Sequence, residues 1–386
     1  MINILTPNFL DNMPQSLVDL YAELETFILT DIARRLKRTG EITSTAEWQK
    51  QQAELFSINN INQKIAEILK KSTKEIDSMF KDAAKTTIDS EKEIFSKAGY
   101  DTIELDKSKA LQDYLKNAIK QTKGDVENIT QTMGFAEKQG NKIVYNSVAK
   151  FYQKELNLAH IKVATGVLDY NTTIKQAVNK IANSGVRTID YKNNYSINVD
   201  SAARRAVLTS VHQFNQETIN HMMNKIVPPD EQYAETTAHA NARPSHQVWQ
   251  GRIFKINGSS KDYPNLIEST GLGSATGLMG INCKHSYFTF IPNVSVRAYT
   301  NEQLNNINTP NFTYQDKEYT GYEAAQYQRQ LENQIRKLKR EALMYKETGL
   351  DTELRNTNKQ IKDIRNEYRQ FSEASGIKAK MDRTQI

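Results

Sequence analysis

Apolar residues that recur at steps of three and four along the first half of the chain constrain its fold more than any other feature. The first series follows Pro14 and ends at Gly40. Its members are Leu17, Leu20, Tyr21, Leu24, Phe27, Ile28, Ile32 and Leu36. This spacing places the apolar side chains on one face of a helix, and proline is favoured in a first helical turn. The segment is therefore predicted to be one amphipathic helix.

Further helices are predicted from the same spacing up to residue 185. They cover about Thr45 to Leu55, Ile61 to Gly99, Lys107 to Met133, Lys142 to Val167 and the stretch YNTTIKQAVNKIANSG, which ends at Gly185. A glycine directly after the last apolar position is typical of a helix C-terminus. We expect residues 1–185 to form an N-terminal helical region.

Residues 186–300 change pattern and predict a smaller α+β domain. The stretch VRTIDYKNNYSINVD alternates β-branched and aromatic residues around positions 192–194, which is typical of a β-hairpin. A helix is predicted from Ser201, as its N-cap, to Ile226. Strands are predicted at Gln232–His239, Gly251–Ile256 and His285–Ile291. The expected fold class is mainly α with a compact C-terminal α+β unit.

Residues 301–386 are predicted to form a linker and a terminal helical hairpin. Apolar residues recur at helical spacing on both sides of the stretch ETGLD. From Gly321 to Ile386 the chain has 14 Lys and Arg against 10 Asp and Glu, so +4 of the formal charge of +6 lies in this tail. A weak contact with DNA is compatible with this charge, although basic residues more often form a solvated helix face. We expect the hairpin to dock on the body of the protein or on another subunit.

Two short motifs concentrate the residue types that carry chemistry. The motif HANARPSHQVWQG and the motif GINCKHSYFTFIP contain His239, Arg243, His246, Trp249 and Gly251, followed by Asn282, Cys283 and His285. Imidazole and thiolate together suit zinc. Strands on either side of the glycine-rich loop ESTGLGSATGLMG could bring the two motifs together. His239, His246, Cys283 and His285 are therefore candidate metal ligands.

A structural interpretation of the same residues is favoured. The spacings His-x6-His and Cys-x-His match none of the paired-ligand signatures of zinc sites. Cys283 fits a small buried hydrophobe, the histidines fit hydrogen-bonded supports of neighbouring loops, and Trp249 fits a core residue. We therefore expect no cofactor, with zinc at the four candidate ligands as the alternative.

An enzymatic interpretation has weaker support. A hydrolase or nuclease would use Glu235 or His239 as general base and Arg243 to hold a phosphate. No second carboxylate or nucleophilic serine motif accompanies them, and GLGSATG lacks the Lys-Ser/Thr that ends a P-loop. No catalytic residue is predicted and the chain is expected not to be an enzyme. A metal-dependent hydrolase or nuclease stays the alternative.

The sequence also limits the compartment in which the protein is made. No stretch approaches eighteen consecutive apolar residues, and the first residues lack the basic and apolar regions of a secretory signal. The single cysteine permits no internal disulfide. We expect no membrane-spanning segment, and synthesis in a cytoplasm.

Several stretches after about Gly166 resemble, in order, the phage minor capsid protein 2 family, and more distantly the Mu-type head morphogenesis proteins. They are GVLDYNTTIKQAVNKIANSGVRTIDY, SAARRAVLTSVHQFN, ETTAHANARPSHQVWQGRIFKING, YPNLIESTGLGSATGLMGINCKHSYFTFIP and YRQFSEASGIKAKMDRTQI. The residues of the two motifs match positions typical of that family, and the resemblance implies that they define its compact domain. The N-terminal helices fit the family by type and length alone.

The resemblance implies a structural minor head protein of a tailed bacteriophage, made in the bacterial host cytoplasm and present in the virion. It implies action near the portal in head assembly, and it leaves open whether the protein is packaged or ejected with the DNA. The implied partners are the portal protein and the major capsid or scaffold protein. Because helices with narrow apolar stripes bury little area alone, we also expect the N-terminal helices to complete their cores on such a partner.

Overall fold

The computed structural model describes residues 5–42, 44–140, 142–190 and 195–386. Helices account for 64% of the structure, and small antiparallel sheets supply the strands. The predicted class, mainly α with a smaller α+β region, is confirmed.

The helices agree closely with the spacing of the apolar residues. In the described part of the chain they are α1 Pro7–Asn12, α2 Gln15–Glu41, α3 Thr45–Phe56, α4 Asn59–Lys97, α5 Lys109–Gln131, α6 Val148–Ala164, α7 Tyr170–Ser184, α8 Val199–Ile226, α9 Pro244–Gln247, α10 Leu266–Thr270, α11 Asn301–Asn305, α12 Gly321–Thr348 and α13 Asp351–Ser375. Helix α7 begins where the Asp169 side chain accepts the Thr172 N–H and ends at Gly185, as its sequence predicts. Helices α12 and α13 are the two helices of the predicted terminal hairpin.

The strands form three small sheets within the described residues. The strands are β1 Met133–Gln139, β2 Lys142–Ser147, β3 Arg187–Asp190, β4 Tyr195–Asn198, β5 Tyr233–Thr236, β6 Ile253–Lys255, β7 Tyr287–Phe290, β8 Phe312–Tyr314 and β9 Lys317–Tyr319. Their orders are β2-β1-β3-β4, β6-β5-β7 and β8-β9, and every neighbouring pair is antiparallel. The three strands predicted between residues 232 and 291 are confirmed as β5, β6 and β7.

Two local predictions are wrong, and a third is confirmed only in part. The helix predicted from Lys142 is wrong at its start, because residues 142–147 form β2, which pairs with β1 across a turn containing Gly140. Ser201 does not cap α8, because that helix already begins at Val199. The hairpin predicted around residues 192–194 is confirmed in its strands β3 and β4, while its turn lies outside the described residues.

The chain divides into two compact units, each assembled from three segments. Unit 1 comprises residues 1–17, 73–126 and 203–325, and unit 2 comprises residues 18–72, 127–202 and 326–386. The division along the sequence into residues 1–185, 186–300 and 301–386 stays a prediction. Within unit 1, the sheet β6-β5-β7 packs against a core that contains Met222, Trp249 and Phe254.

Unit 2 buries the apolar stripes of its N-terminal helix within the chain itself. Tyr21, Leu24 and Ile28 of α2 are fully buried. The Tyr152 hydroxyl of α6 donates to the Ile28 carbonyl at 3.0 Å. The expectation that this helix completes its core on a partner is therefore wrong, because segments distant in sequence already cover its apolar face.

The terminal hairpin is attached to unit 2 by buried ion pairs. The Arg340 Nε donates to Glu25 at 3.0 Å, and the Arg336 Nη1 donates to Asp200 at 2.7 Å. The other oxygen of Glu25 accepts the Val186 backbone N–H at 2.8 Å. Although burial opposes its ionisation, Arg336 holds the pKa of Asp200 below its ordinary value. Two of the tail's basic residues therefore lie in the protein interior, and the hairpin docks on the body of its own chain.

Across the described residues, none of the helices combines the length and the apolar character that a membrane crossing requires.

Candidate metal centre

The two motifs meet beside the sheet β6-β5-β7 of unit 1. Thr237, which follows β5, and Ser286, which precedes β7, exchange hydrogen bonds: the Thr237 N–H donates to the Ser286 carbonyl, and the Ser286 N–H donates to the Thr237 hydroxyl, each at 2.9 Å. This pairing fixes Cys283 and His285 near the start of β7. The short helix α9, which begins at Pro244, places His246 against them.

Three of the four predicted ligands come together. The Nδ1 atoms of His246 and His285 lie 3.4 Å apart. The Cys283 Sγ lies 3.7 Å from the first and 3.5 Å from the second. The three residues are only 1–2% exposed. Among the described residues, they are the one group of histidine, cysteine and acidic side chains with converging ligand atoms.

The remaining ring nitrogens of both histidines have acceptor partners. The His246 Nε2 lies 2.9 Å from the Thr276 carbonyl oxygen, which can only accept. The His285 Nε2 lies 3.0 Å from the Gln250 Oε1. That atom also receives the His239 backbone N–H at 3.1 Å, which identifies it as the amide oxygen. Both histidines therefore carry their proton on Nε2 and direct a lone pair from Nδ1 toward the thiol.

His239, the fourth predicted ligand, does not join the group. Its ring stacks on His285 with centroids 4.4 Å apart and an interplanar angle of 29°. Its own Nδ1 lies 2.9 Å from the Ala240 carbonyl oxygen. Two imidazoles on one tetrahedral zinc have centroids about 5 Å apart, so the stacked pair is too close for shared ligation. The His246 and His285 centroids, at 5.3 Å, fit that arrangement.

Burial governs the protonation of this cluster. It lowers the pKa of His285 to about 2, with further lowering by His239 and His246. Burial also lowers the pKa of His246 and of His239. It raises the pKa of Cys283, whose sulfur nevertheless receives backbone hydrogen bonds that favour the thiolate. Without a cation, the histidines are therefore neutral at pH 7.

The backbone before β7 is shaped to place the thiol. Asn282 has a φ of 56°, in the left-handed region where asparagine is tolerated, and the Cys283 N–H donates to the Gly280 carbonyl at 3.0 Å. The His285 N–H then lies 3.4 Å from the Cys283 Sγ. Backbone N–H groups directed at a sulfur stabilise its negative charge.

A family model described as phage minor capsid protein 2 matches residues 5–373, which is nearly the whole chain. The chain belongs to the phage minor capsid protein 2 family. No curated protein and no solved structure matches it. Membership makes it a structural protein of the bacteriophage virion that interacts with other head proteins.

The other motif residues of this minor capsid protein surround the cluster. Trp249 is 4% exposed, and its ring contacts both His246 and His285, with centroids 4.6 and 4.8 Å away. The Arg243 Nη2 donates to the Ile281 carbonyl at 3.0 Å and so connects the two motifs. Arg243 therefore stabilises the loop.

Glu235, the candidate general base, is buried in the sheet β6-β5-β7 of the minor capsid protein. Both of its oxygens accept the Ala298 N–H, at 3.0 and 3.1 Å, and the residue is fully buried. Burial raises the pKa of Glu235 to about 7. A carboxylate in this position holds the segment around Ala298 against β5.

Sequence reasoning missed two groups that define the geometry of the cluster. Gln250 orients His285 and His239, and the Thr276 carbonyl orients His246. Gln250 lies within the first motif, next to Trp249. Its amide side chain and its place in that motif are the only sequence signals for a hydrogen-bonding role. A backbone carbonyl in the glycine-rich loop carries no sequence signal.

A substitution at Gly251 of the minor capsid protein tests the structural role of the first motif. It has a φ of 65°, and an added Cβ would lie 2.4 Å from the Leu304 Cδ2. We expect Gly251→Ala to lower the free energy of unfolding by about 1–3 kcal/mol more than the control does, because the added methyl group collides with the Leu304 side chain in addition to the strain at this φ. Urea denaturation followed by circular dichroism measures the loss. Gly258→Ala is the matched control, since it shares a positive φ of 73° and has no neighbouring atom within 4 Å. A loss no greater than that of the control contradicts the argument.

Proposed function

We propose that this protein acts near the portal of a tailed-phage head during assembly. The match of the minor capsid family model over residues 5–373 supports the proposal most directly. The buried cluster also favours a structural role, because its ligand atoms are closed off and a substrate could not reach them. An enzymatic role has no comparable support.

A face of helix α6 is the surface we propose for contact with another head protein. Leu158 and Ile161 are 39% and 55% exposed and lie one helical turn apart, and Val167 just beyond the helix is 70% exposed. The groove beside Leu158 is lined by Ala159 and Ala177 together with polar and charged side chains of α6 and α7. Exposed aliphatic side chains that adjoin one another favour a protein partner.

Cross-linking and mass spectrometry of purified procapsids test the location. We expect cross-links from lysines of unit 2 to the portal protein, and far fewer copies of this chain than of the major capsid protein. The double variant Leu158→Asp/Ile161→Asp should reduce incorporation into heads at least tenfold without lowering the melting temperature. Ile267→Asp, at a residue 56% exposed in unit 1, is the control. Cross-links spread evenly over the capsid shell, or normal incorporation of the double variant, would contradict the proposal.

A weak DNA contact is proposed for one face of helix α13. Five basic residues of this helix are exposed and fall within a single arc: Arg355, Lys359, Lys362, Arg365 and Arg369. Such a stripe can neutralise phosphates along a nucleic acid without reading its bases. Deleting the whole tail would be a poor test, because it also removes Arg336 and Arg340 from the interior.

Charge reversal on α13 tests the DNA contact directly. The triple variant Lys359→Glu/Lys362→Glu/Arg369→Glu should weaken binding to duplex DNA at least tenfold, with a shallower dependence on salt concentration. Fluorescence anisotropy at several salt concentrations measures both quantities. Lys107→Glu, at an exposed lysine of unit 1, is the control. Equal affinity and equal salt dependence in the triple variant and the wild type would reject the contact.

A further inference from the structure

We propose that the Nδ1 of His246, the Sγ of Cys283 and the Nδ1 of His285 bind one zinc ion that holds the two motifs together. This site goes beyond the proposed role in the head and does not depend on it. The ligand types fit the metal, since imidazole and thiolate together favour zinc over magnesium or calcium.

The distances among the three atoms match one face of a zinc tetrahedron. With usual zinc bond lengths, two nitrogens lie about 3.3 Å apart, and a nitrogen and a sulfur lie about 3.6 Å apart. The three observed separations are 3.4, 3.5 and 3.7 Å. A point near 2 Å from both nitrogens and slightly farther from the sulfur therefore exists. The fourth position of the tetrahedron is left to a ligand other than these side chains.

The hydrogen bonds around the cluster leave too few protons to satisfy the lone pairs of the three ligand atoms. Both histidines use their Nε2 proton on an oxygen, so each Nδ1 offers only a lone pair. Among the described contacts, the thiol is the one donor near them, and its single proton has three acceptors: the two Nδ1 atoms and, at 3.8 Å, the His285 carbonyl oxygen. Two buried lone pairs facing each other at 3.4 Å repel, whereas a cation between them and the thiolate satisfies all three atoms.

The outer contacts are those of a metal-bound histidine pair. Ligating histidines usually donate their second ring N–H to a carbonyl or carboxylate, which fixes the ring. The Thr276 carbonyl and the Gln250 side chain provide this for His246 and His285. The ion would link α9 to the segment before β7, across a glycine-rich loop that contributes few core side chains. Because the three ligands are buried, such an ion would serve to hold the two motifs together.

Metal analysis of the purified full-length protein tests the site. We expect close to one zinc per chain after dialysis, and at least a tenfold lower content in Cys283→Ala. The control is His239→Phe, which keeps an aromatic ring stacked on His285 but removes both ring nitrogens. It should retain the zinc. A chelator should lower the melting temperature of the wild type and of this control by about 5 °C and leave Cys283→Ala unchanged.

Cobalt replacement keeps the test decisive if Cys283→Ala does not fold. Cobalt bound to the wild-type protein should give a thiolate-to-metal charge-transfer band, which requires the sulfur as a ligand. The proposal would be overturned if the purified protein contained no zinc and added zinc did not change its melting temperature. Zinc retained by Cys283→Ala, zinc lost by His239→Phe, or cobalt binding without the charge-transfer band would overturn it as well.

Discussion

Replacing Arg340 with alanine is expected to lower the free energy of unfolding by about 3–5 kcal/mol, because it leaves a buried carboxylate without its cation. Arg340 is 5% exposed and Glu25 is 2% exposed, so water cannot replace the lost partner. Arg336 lies farther from Glu25, at 4.0 Å, and already pairs with Asp200. Urea denaturation followed by circular dichroism measures the change.

Two further variants separate the buried pair from general effects of the tail. Arg355→Ala removes an exposed arginine of α13 and should change stability by no more than about 0.5 kcal/mol. The double variant Glu25→Gln/Arg340→Met removes both charges and should recover much of the loss. If Arg340→Ala is as stable as Arg355→Ala, the hairpin is not held by this pair.

Stability is expected to fall as the pH rises from about 4.5 to about 7, in part because of Glu91. This side chain accepts the Thr289 N–H at 3.1 Å, and burial raises its pKa from 4.5 to about 7. Between those values the folded protein keeps a proton that the unfolded chain releases, so folding is favoured at the lower pH. One such carboxyl contributes about 3 kcal/mol, which is lost by pH 8.

Glu91→Gln should remove about half of this dependence, since Glu235 has its pKa raised to a similar value by burial. Glutamine keeps the acceptor oxygen and never ionises, so the variant should match the wild type at pH 5 and exceed its stability at pH 8. Thermal melts at both values measure the difference. Glu93→Gln, at a half-buried position two residues further along α4, should leave the pH dependence intact. A pH dependence unchanged by Glu91→Gln would show that Glu91 is not its source.

These two expectations concern groups that link segments far apart in the sequence. Glu25 and Arg340 are separated by 315 positions, and Glu91 and Thr289 by 198. In each case a charged or titratable side chain is buried where it contacts a segment distant in the sequence. The two units of this minor capsid protein therefore depend on their C-terminal segments for stability.

The helices could be predicted because helix formation depends on the types and spacing of residues that are neighbours in the sequence. The stripe of α2, the N-cap of α7 and the glycine after α7 are properties of neighbouring residues. The sequence does not predict the hairpin of β1 and β2, because the apolar residues there also fit a helical period. Ile143, Val144 and Tyr145 are also good strand residues, and the glycine between the strands was a turn signal.

The candidate site could be predicted only in its residue types. The sequence identified His239, His246, Cys283 and His285 as a set. The choice of three among the four depends on ring orientation, which places His239 on the face of His285 instead of beside its lone pair. No spacing along the chain encodes that angle, because it follows from the pairing of Thr237 with Ser286 and from the turn at Asn282.

The sequence by itself determined the helical character, the strands of the α+β region and the family. These follow from periodicity and from motifs, both of which are local in the chain. Only the tertiary structure decided which of the tail's basic residues are buried and which face solvent, and which histidines converge on the thiol. Those outcomes depend on contacts between distant segments, whose geometry is set by packing and not by neighbouring residues.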